Sequence, residues 1–130
     1  MAALFFDANG DGRPDLYIVN GGYHDFTRDS PELQDRLYIN EGNGQFSIDV
    51  RALPPNGYNT SVAVPFDFDV DGDLDLFVGS RSFPGEYGIS PRSFIYRNKS
   101  FSFNVFQTVR NRKCSSFKMI FGTTNSSFSI

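Results

Sequence analysis

The sequence is poor in the residues that build cross-links, zinc sites and most catalytic centres. Its one cysteine, Cys114, excludes an internal disulfide framework and a cysteine-built zinc site. Its one histidine, His24, is better explained as a solvated loop residue than as a general base. The patterns G-x-S-x-G and H-E-x-x-H and the phosphate-binding P-loop are also absent. We therefore expect a protein that is not an enzyme.

Long hydrophobic runs are absent too. No stretch approaches the ~20 apolar residues that a membrane-spanning helix needs, so we expect no membrane insertion. We also expect no signal peptide, because a short apolar segment and then an acidic loop follow Met1 directly. The length of 130 residues allows one domain at most, and the chain is rich in Phe, with 15 Phe and no Trp.

Acidic residues are missing from the C-terminal part of the chain. Residues 1–103 contain all 15 acidic and eight of the 12 basic residues, which leaves a net charge of −7. Residues 104–130 contain four basic and no acidic residues, a net charge of +4. Such a tail can indicate binding to nucleic acid or anionic membrane. Its charges are interleaved with Ser, Asn and Phe, so we expect no nucleic-acid partner.

Against this background, two nearly identical acidic segments stand out. Residues 7–15 and 67–75 both read D-x-D/N-x-D-G-x-x-D, and they begin 60 residues apart. Oxygen-bearing side chains at alternate positions, with a Gly at a sharp turn, allow a short loop to wrap a hard cation such as Ca²⁺. An EF-hand loop starts in the same way but ends in Glu at position 12, where this chain has Ile18 and Val78. The loops therefore close on their ninth residue.

About two calcium sites follow from this pattern. The expected ligands of the first site are the side chains of four residues and the carbonyl of Arg13: Asp7, Asn9, Asp11, Asp15. Those of the second site are four side chains and the carbonyl of Asp73: Asp67, Asp69, Asp71, Asp75. Four carboxylates against three predict tighter binding at the second site. The alternative is that both segments are simply good turns, but five aspartates within nine residues repel one another, and a cation removes that repulsion.

Other polar residues carry weaker signals. Five further acids are expected in polar inserts without an apolar pocket that would raise a pKa: Asp25, Asp29, Glu32, Asp35 and Glu86. Tyr87 and Arg92 lie in the longer insert, where a ligand-binding face could form. A structural salt bridge is nevertheless the better explanation for Arg92.

Short apolar segments flank both acidic loops in the same order. The expected strands are 3–6, 16–19, 36–40 and 46–50 in the first unit, and 62–66, 74–78 and 94–98 in the second. Segment 46–50 alternates apolar and polar residues, as a half-buried strand does. No window has a 3.6-residue apolar period, so helix is expected to be minor. We predict an all-β fold with two four-stranded antiparallel blade-like units of a partial β-propeller, at about 3–50 and 61–103, and an irregular tail over 104–130.

Two such units are expected to need neighbours. One four-stranded sheet cannot bury both of its faces alone, and two cannot close a ring of four or more blades. We therefore expect a fragment of a larger protein, completed by the remaining blades or by self-association. The second unit also lacks the Gly turn found at 42–44, so we expect its pattern to decay after Asn98. Unpaired strand edges would then make the isolated chain marginally stable, oligomeric or prone to aggregate.

Residues 3–98 resemble the FG-GAP/VCBS repeats, which are the calcium-loop blades of integrin-α-type β-propellers. The resemblance rests on the segment ALFFD, both acidic loops, the LYIV and LFVG strands after them, and residues 37–46. Residues 85–93 are similar to the insert of a subgroup found with ASPIC/UnbV-type domains in secreted bacterial proteins. The resemblance implies an extracellular or cell-surface calcium-binding module with a structural or adhesive role and an unknown protein or glycan partner. The alternative is a non-catalytic accessory portion of a larger extracellular enzyme.

Overall fold

The computed structural model describes residues 2–21, 27, 30–84, 88–100, 102–110, 118–120 and 127–129. Its strands are β1 (Ala2–Phe6), β2 (Asp15–Val19), β3 (Arg36–Gly42), β4 (Gln45–Ile48), β5 (Asn59–Phe66), β6 (Asp75–Ser82), β7 (Arg92–Lys99), β8 (Ser102–Arg110), β9 (Lys118–Ile120) and β10 (Ser127–Ser129). Within these ranges the one helical element is a 3-10 turn, Pro31–Leu33, and no helix is long and apolar enough to cross a membrane. The predicted all-β fold class is confirmed.

The strands form two four-stranded antiparallel sheets of identical topology. The first sheet has the order β1-β2-β3-β4 and the second β5-β6-β7-β8, while β9 and β10 pair separately. Leu16 lies opposite Tyr38 in the first sheet, and Leu76 lies opposite Tyr96 in the second. Because sequential antiparallel strands need only short connections, each sheet is a simple meander. Each acidic loop joins the first two strands of its sheet, so the two units are structural repeats.

The expected decay after Asn98 is not observed. Strands β7 and β8 pair from Arg92 opposite Arg110 to Lys99 opposite Ser102. In the first sheet the corresponding turn uses a left-handed run with φ of 88°, 54° and 74° at residues 42–44. In the second sheet Ser100 adopts a φ of 49° without a glycine. A small polar residue therefore adopts the left-handed conformation at the start of this turn, and β8 continues the sheet beyond position 103.

The core lies between the two sheets. Successive residues of a strand point to opposite faces; we call face A the side that carries Tyr17 in the first sheet and Phe77 in the second, and face B the side that carries Leu16 and Leu76. The first sheet contributes face A residues to the buried cluster: Phe6, Tyr17, Val19 and Leu37. The second contributes face B residues: Leu76, Val78, Phe94, Tyr96 and Phe103. Face A of one unit thus packs on face B of the next, as in stacked propeller blades.

Strand β4 differs from its expected half-buried state. All four of its residues are exposed, including Phe46 at 43% and Ile48 at 48%. Both side chains lie on face B of the first sheet, since they pair with Asn40 and Tyr38. No described residue of the second sheet packs on that face, because the second sheet covers face A. The alternating pattern therefore marks a strand whose apolar side chains face outward.

Candidate metal centres

The first aspartate of each acidic loop organises the backbone. Asp7 Oδ1 accepts hydrogen bonds from the N–H groups of Gly10 (2.7 Å) and Asp11 (3.2 Å), and its Oδ2 accepts one from Gly12 (2.8 Å). In the second loop, Asp67 accepts hydrogen bonds from the N–H groups of the two corresponding residues, at 3.1 Å to Oδ1 and 3.0 Å to Oδ2: Asp71 and Gly72. Side-chain caps of this kind stabilise tight turns. Both loops are therefore held in a curled conformation by their own first residue.

The ninth residue fastens each loop to the third strand. Asp15 is fully buried; its Oδ2 accepts a hydrogen bond from the Ala8 N–H (2.9 Å) and its Oδ1 one from the Asn40 N–H (2.8 Å). Asp75 is also fully buried and accepts hydrogen bonds from two N–H groups at 2.9 and 2.8 Å, those of Phe68 and Asn98. Hydrogen bonds to a charged acceptor are each worth about 1.5–3 kcal/mol. The ninth position is thus a structural anchor in both repeats.

An asparagine completes this anchor. The Asn40 side chain donates a hydrogen bond to the Pro14 carbonyl (3.0 Å), and Asn98 donates one to the Leu74 carbonyl (3.2 Å). Asn98 also reaches the Ala8 carbonyl (2.8 Å), which links the second sheet to the first loop. Sequence reasoning did not identify this role. The signal was the Tyr-x-Asn segment that lies in the third strand of both repeats.

Three carboxylates converge in the second loop. Asp67, Asp69 and Asp71 each offer an oxygen atom, and these atoms lie within 4.8 Å of one another. Asp69 Oδ1 is buried and has no hydrogen-bond partner. Burial, followed by the charge of Asp71, raises the pKa of the Asp69 carboxyl above its usual range. Crowded oxygen ligands with an unsatisfied buried atom fit a hard cation.

A cationic side chain from the neighbouring strand lies against this group. The Nε atom of Arg97 is 2.9 Å from Asp69 Oδ2, an ion-pair distance at which its N–H is not aligned for a hydrogen bond. The guanidinium carbon lies 4.1 Å from the ring centroid of Phe106, a cation–π arrangement. Arg97 therefore offsets part of the negative charge of the second loop. Its role was not predicted, because β7 is distant from the loop in sequence.

The first loop has a different charge arrangement. Asn9 stands where the second loop has Asp69, and its Nδ2 donates a hydrogen bond to Asp11 Oδ2 (2.9 Å). Arg13 forms an ion pair with the same oxygen (2.7 Å) and hydrogen bonds through Nε to the Asn40 carbonyl (2.9 Å). The Arg13 N–H, with help from Asn9 and the Arg13 charge, lowers the pKa of the Asp11 carboxyl. Within the described residues, three acids converge in the second loop and not in the first.

Asp35 is the centre of a further polar site. The prediction that it lies in a polar insert without an apolar pocket is wrong. Only 3% of its surface is exposed, and it lies between the sheets. Its Oδ1 accepts hydrogen bonds from the Asn20 N–H (2.8 Å) and the Thr60 hydroxyl (2.6 Å). Its Oδ2 accepts hydrogen bonds from the Tyr17 hydroxyl (2.8 Å) and the Asn56 amide (3.2 Å). Burial raises the pKa of the Asp35 carboxyl despite these donors.

The remaining sequence candidates that the structure describes, Arg92 and Glu32, add no further site. Arg92 is exposed at the start of β7, opposite Arg110, and Glu32 is exposed in the 3-10 turn. Six other candidates lie outside the described residues: His24, Asp25, Asp29, Glu86, Tyr87 and Cys114. The two acidic loops and the Asp35 network are therefore the polar centres that the geometry supports.

Comparison with known families agrees with this geometry. A family model for the FG-GAP-like repeat matches residues 7–78, more than half of the chain, from the first acidic loop to the strand after the second. No curated protein and no solved structure gives a significant match. FG-GAP repeats are generally structural or adhesive propeller modules without enzymatic activity, are typically extracellular and commonly bind calcium. The chain belongs to the FG-GAP-like repeat family.

Proposed function

We propose that this chain is a calcium-binding β-propeller module with a structural or adhesive role outside the cell. A cation in each acidic loop would stiffen the connection between the first two strands of a sheet. The stiffened blades would then present their inserts to a protein or glycan partner. One observation carries the proposal: three carboxylate oxygens lie within 4.8 Å of one another in the second loop, beside a buried oxygen without a partner.

The donor set favours calcium over transition metals. Carboxylate, amide and carbonyl oxygens suit calcium and magnesium, whereas the described part of each loop offers no thiolate or imidazole. Calcium accepts six to eight oxygen ligands in irregular geometries, which a flexible hairpin loop can supply. Bound calcium would supply positive charge at the centre of the loop.

The residues of each loop would have different roles at the calcium site. Asp67, Asp69 and Asp71 supply the side-chain ligands of the second site, with the Asp73 carbonyl. The carboxylate of Asp75 accepts two amide hydrogen bonds and still has free lone pairs. It can therefore anchor the loop and bind the cation at the same time. The first site uses the corresponding set: Asp7, Asn9, Asp11, Asp15 and the Arg13 carbonyl.

We expect the second site to bind more tightly than the first. Its four side-chain ligands are all carboxylates, whereas Asn9 makes the first site less negative. One arginine opposes each loop, Arg13 in the first and Arg97 in the second, so the difference in ligand charge persists.

Isothermal titration calorimetry with calcium tests the proposal. Extracellular modules bind calcium with a Kd of roughly 10⁻⁴–10⁻³ M, and we expect two events near this range. Asp67→Ala should remove the tighter event and Asp7→Ala the weaker one. Glu32→Ala, in an exposed turn outside both loops, should change neither. Absence of binding at millimolar calcium, or unchanged binding in the double variant, would refute the proposal.

A further inference from the structure

A buried asparagine joins the first acidic loop to the third strand of the second sheet. The side chain of Asn98 donates a hydrogen bond to the carbonyl of Ala8 at 2.8 Å, across 90 residues of sequence, and both residues are 3% exposed. Ala8 is the second residue of the first loop and lies between two candidate ligands, Asp7 and Asn9. The side chain of Asn98 therefore holds a peptide group that belongs to the first candidate site.

The equivalent asparagine of the first sheet bonds within its own repeat. The side chain of Asn40 donates a hydrogen bond to the Pro14 carbonyl (3.0 Å) and accepts one from the Gly42 N–H (2.9 Å). Asn98 makes the equivalent of the first bond inside the second repeat and adds the bond to Ala8. Its Oδ1 atom is buried and has no partner in the part of the chain that the structure describes. The two carbonyl acceptors therefore determine the orientation of the Asn98 amide.

The bond between these two residues is the middle link of a chain between the anchoring aspartates. The Ala8 N–H donates to Asp15 Oδ2 (2.9 Å), and the Asn98 N–H donates to Asp75 Oδ1 (2.8 Å). All four residues are at most 3% exposed. In a buried site a hydrogen bond is stronger than in water, and neighbouring bonds polarise one another. The chain begins at a candidate ligand of the first site and ends at a candidate ligand of the second.

Apolar packing surrounds this chain of hydrogen bonds. Phe6, which directly precedes the first loop, meets Phe103 edge-on, with ring centroids 6.2 Å apart. Phe103 pairs with Asn98 across strands β7 and β8, and its N–H donates to the Ala52 carbonyl (2.8 Å). Phe6, Ala8 and Phe103 belong to one buried cluster. Because close-packed interiors transmit strain, a shift of the first loop is felt at the strand that carries Asn98.

We propose that Asn98 couples the two candidate calcium sites, so that the affinity of each loop is higher when the other loop is filled. This inference rests on the proposed calcium function. When Asp7 and Asn9 close on a cation, the backbone of Ala8 between them is held in one position. That position favours the bond to Asn98, whose N–H in turn orients Asp75 in the second loop. The second loop then has less ordering left to complete when it binds.

Coupling should be visible at the weaker site, because the tighter second site fills first. In Asp67→Ala the second loop stays empty, whereas in the wild type it is already filled. We expect the first loop to bind calcium about fivefold more weakly in Asp67→Ala than in the wild type, at the lower end of the usual range for coupled sites. An NMR titration with calcium measures this through the amide of Gly12, whose N–H donates to Asp7 in the first loop.

Replacement of the asparagines shows whether the coupling passes through Asn98. In the Asn98→Ala background, the first loop should have the same affinity with and without Asp67→Ala. Asn40→Ala is the matched control: it removes bonds within the first repeat and should keep the ratio of about fivefold. A merely structural role would lower the stability of both variants and remove the ratio in neither. If circular dichroism shows that a variant has lost its sheets, Asn98→Ser replaces Asn98→Ala and Asp69→Ala replaces Asp67→Ala.

Hydrogen exchange measures the transmission directly. In Asp67→Ala, calcium can fill the first loop only. The amide of Asn98, which bonds to Asp75 in the other repeat, should then exchange several-fold more slowly after calcium is added. When Asn98→Ala is combined with Asp67→Ala, exchange of the amide at position 98 should no longer respond to calcium.

The possible outcomes separate the coupling from the proposed function. A wild-type chain that binds no calcium would refute the proposed function and the coupling with it. Two binding events, with the same affinity of the first loop in the wild type and in Asp67→Ala, would overturn the coupling and leave the proposed function intact. A ratio of about fivefold that survives in Asn98→Ala would overturn the role of Asn98.

Discussion

The two repeats of this chain share one backbone framework and differ in the charges placed on it. In both, the first aspartate caps the loop, the ninth aspartate anchors it, and an asparagine of the third strand completes the anchor. The opposing cation comes from within the first loop, Arg13, and from a neighbouring strand in the second, Arg97. The hydrogen bonds that shape the loop are therefore separable from the charges that would set its affinity for the proposed cation.

The repeats also differ where they meet the rest of the molecule. Before β3 of the first sheet lies Asp35, which accepts four hydrogen bonds: from Tyr17 and Asn20 of the first unit, from Asn56 of the connecting segment and from Thr60 of β5. The corresponding residue of the second sheet is Ser93, whose hydroxyl accepts one hydrogen bond from the Ser80 N–H (3.3 Å). A carboxylate is present where four donors converge, and a hydroxyl is present where the described residues supply one donor.

Removal of the ninth aspartate should have the largest effect, and it should be equal in both repeats. Asp15→Ala and Asp75→Ala each delete an acceptor of two buried amide hydrogen bonds, a loss of about 3–5 kcal/mol in the free energy of unfolding. Urea unfolding in chelator measures this loss without the contribution of calcium. Glu32→Ala serves as the surface control. A loss of stability in only one of the two variants would contradict an equal anchoring role for Asp15 and Asp75.

Asp35→Asn should destabilise the chain by about 2–3 kcal/mol, because an amide NH₂ would face donors that now meet a carboxylate. The matched variant Ser93→Ala should cost about 1 kcal/mol, since a single hydrogen bond is lost.

The pH dependence of this difference follows from the raised pKa of Asp35. The folded state binds the proton more tightly than the unfolded state, so stability from this group is greatest at low pH and falls as pH rises through the raised pKa. The difference in the free energy of unfolding between wild type and Asp35→Asn should therefore narrow as the pH rises above about 4, the usual pKa of an aspartate in the unfolded chain, and through the raised pKa. Unfolding curves at several pH values in chelator measure it, and a gap that widens with pH would contradict the assignment.

Exchange of the residues at the third loop position, Asn9 and Asp69, should exchange the calcium affinities of the two sites. Asn9→Asp adds a carboxylate to the first loop and should tighten its calcium binding on the order of tenfold, while Asp69→Asn should weaken the second site by a similar factor. Calorimetry of each variant measures both sites at once. If the order of affinities does not change in the double variant, ligand charge does not set it.

A modest effect should come from the fourth loop position. Val70 has a φ of 59°, whereas the first loop has Gly10 with a φ of 73°. A left-handed conformation costs a residue with a side chain roughly 1–2 kcal/mol, and glycine avoids this cost. Val70→Gly should therefore raise the melting temperature in chelator, and Gly10→Val should lower it. Opposite shifts would show that Val70 is not strained.

Much of this architecture was predictable, because its signals are local. Alternating side chains and turn residues located the strands, and the spaced aspartates located both loops. The role of Asp15 and Asp75 as anchors was harder to predict from the sequence. An aspartate at the ninth loop position is expected both for a buried hydrogen-bond acceptor and for a metal ligand. The turn at Ser100 was misjudged for a related reason: glycine favours a left-handed φ, but a serine can also adopt it.

By itself, the sequence determined two repeated sheets, each with an oxygen-rich loop between its first two strands. Only the tertiary structure decided which faces are buried. In segments such as LYIV both alternating faces are apolar, so periodicity cannot distinguish the face that packs from the face that stays open. Only the tertiary structure also decided the surroundings of Asp35 and Arg97. Their partners come from distant parts of the chain, so the contacts that bury one and position the other exist only after the two sheets have packed.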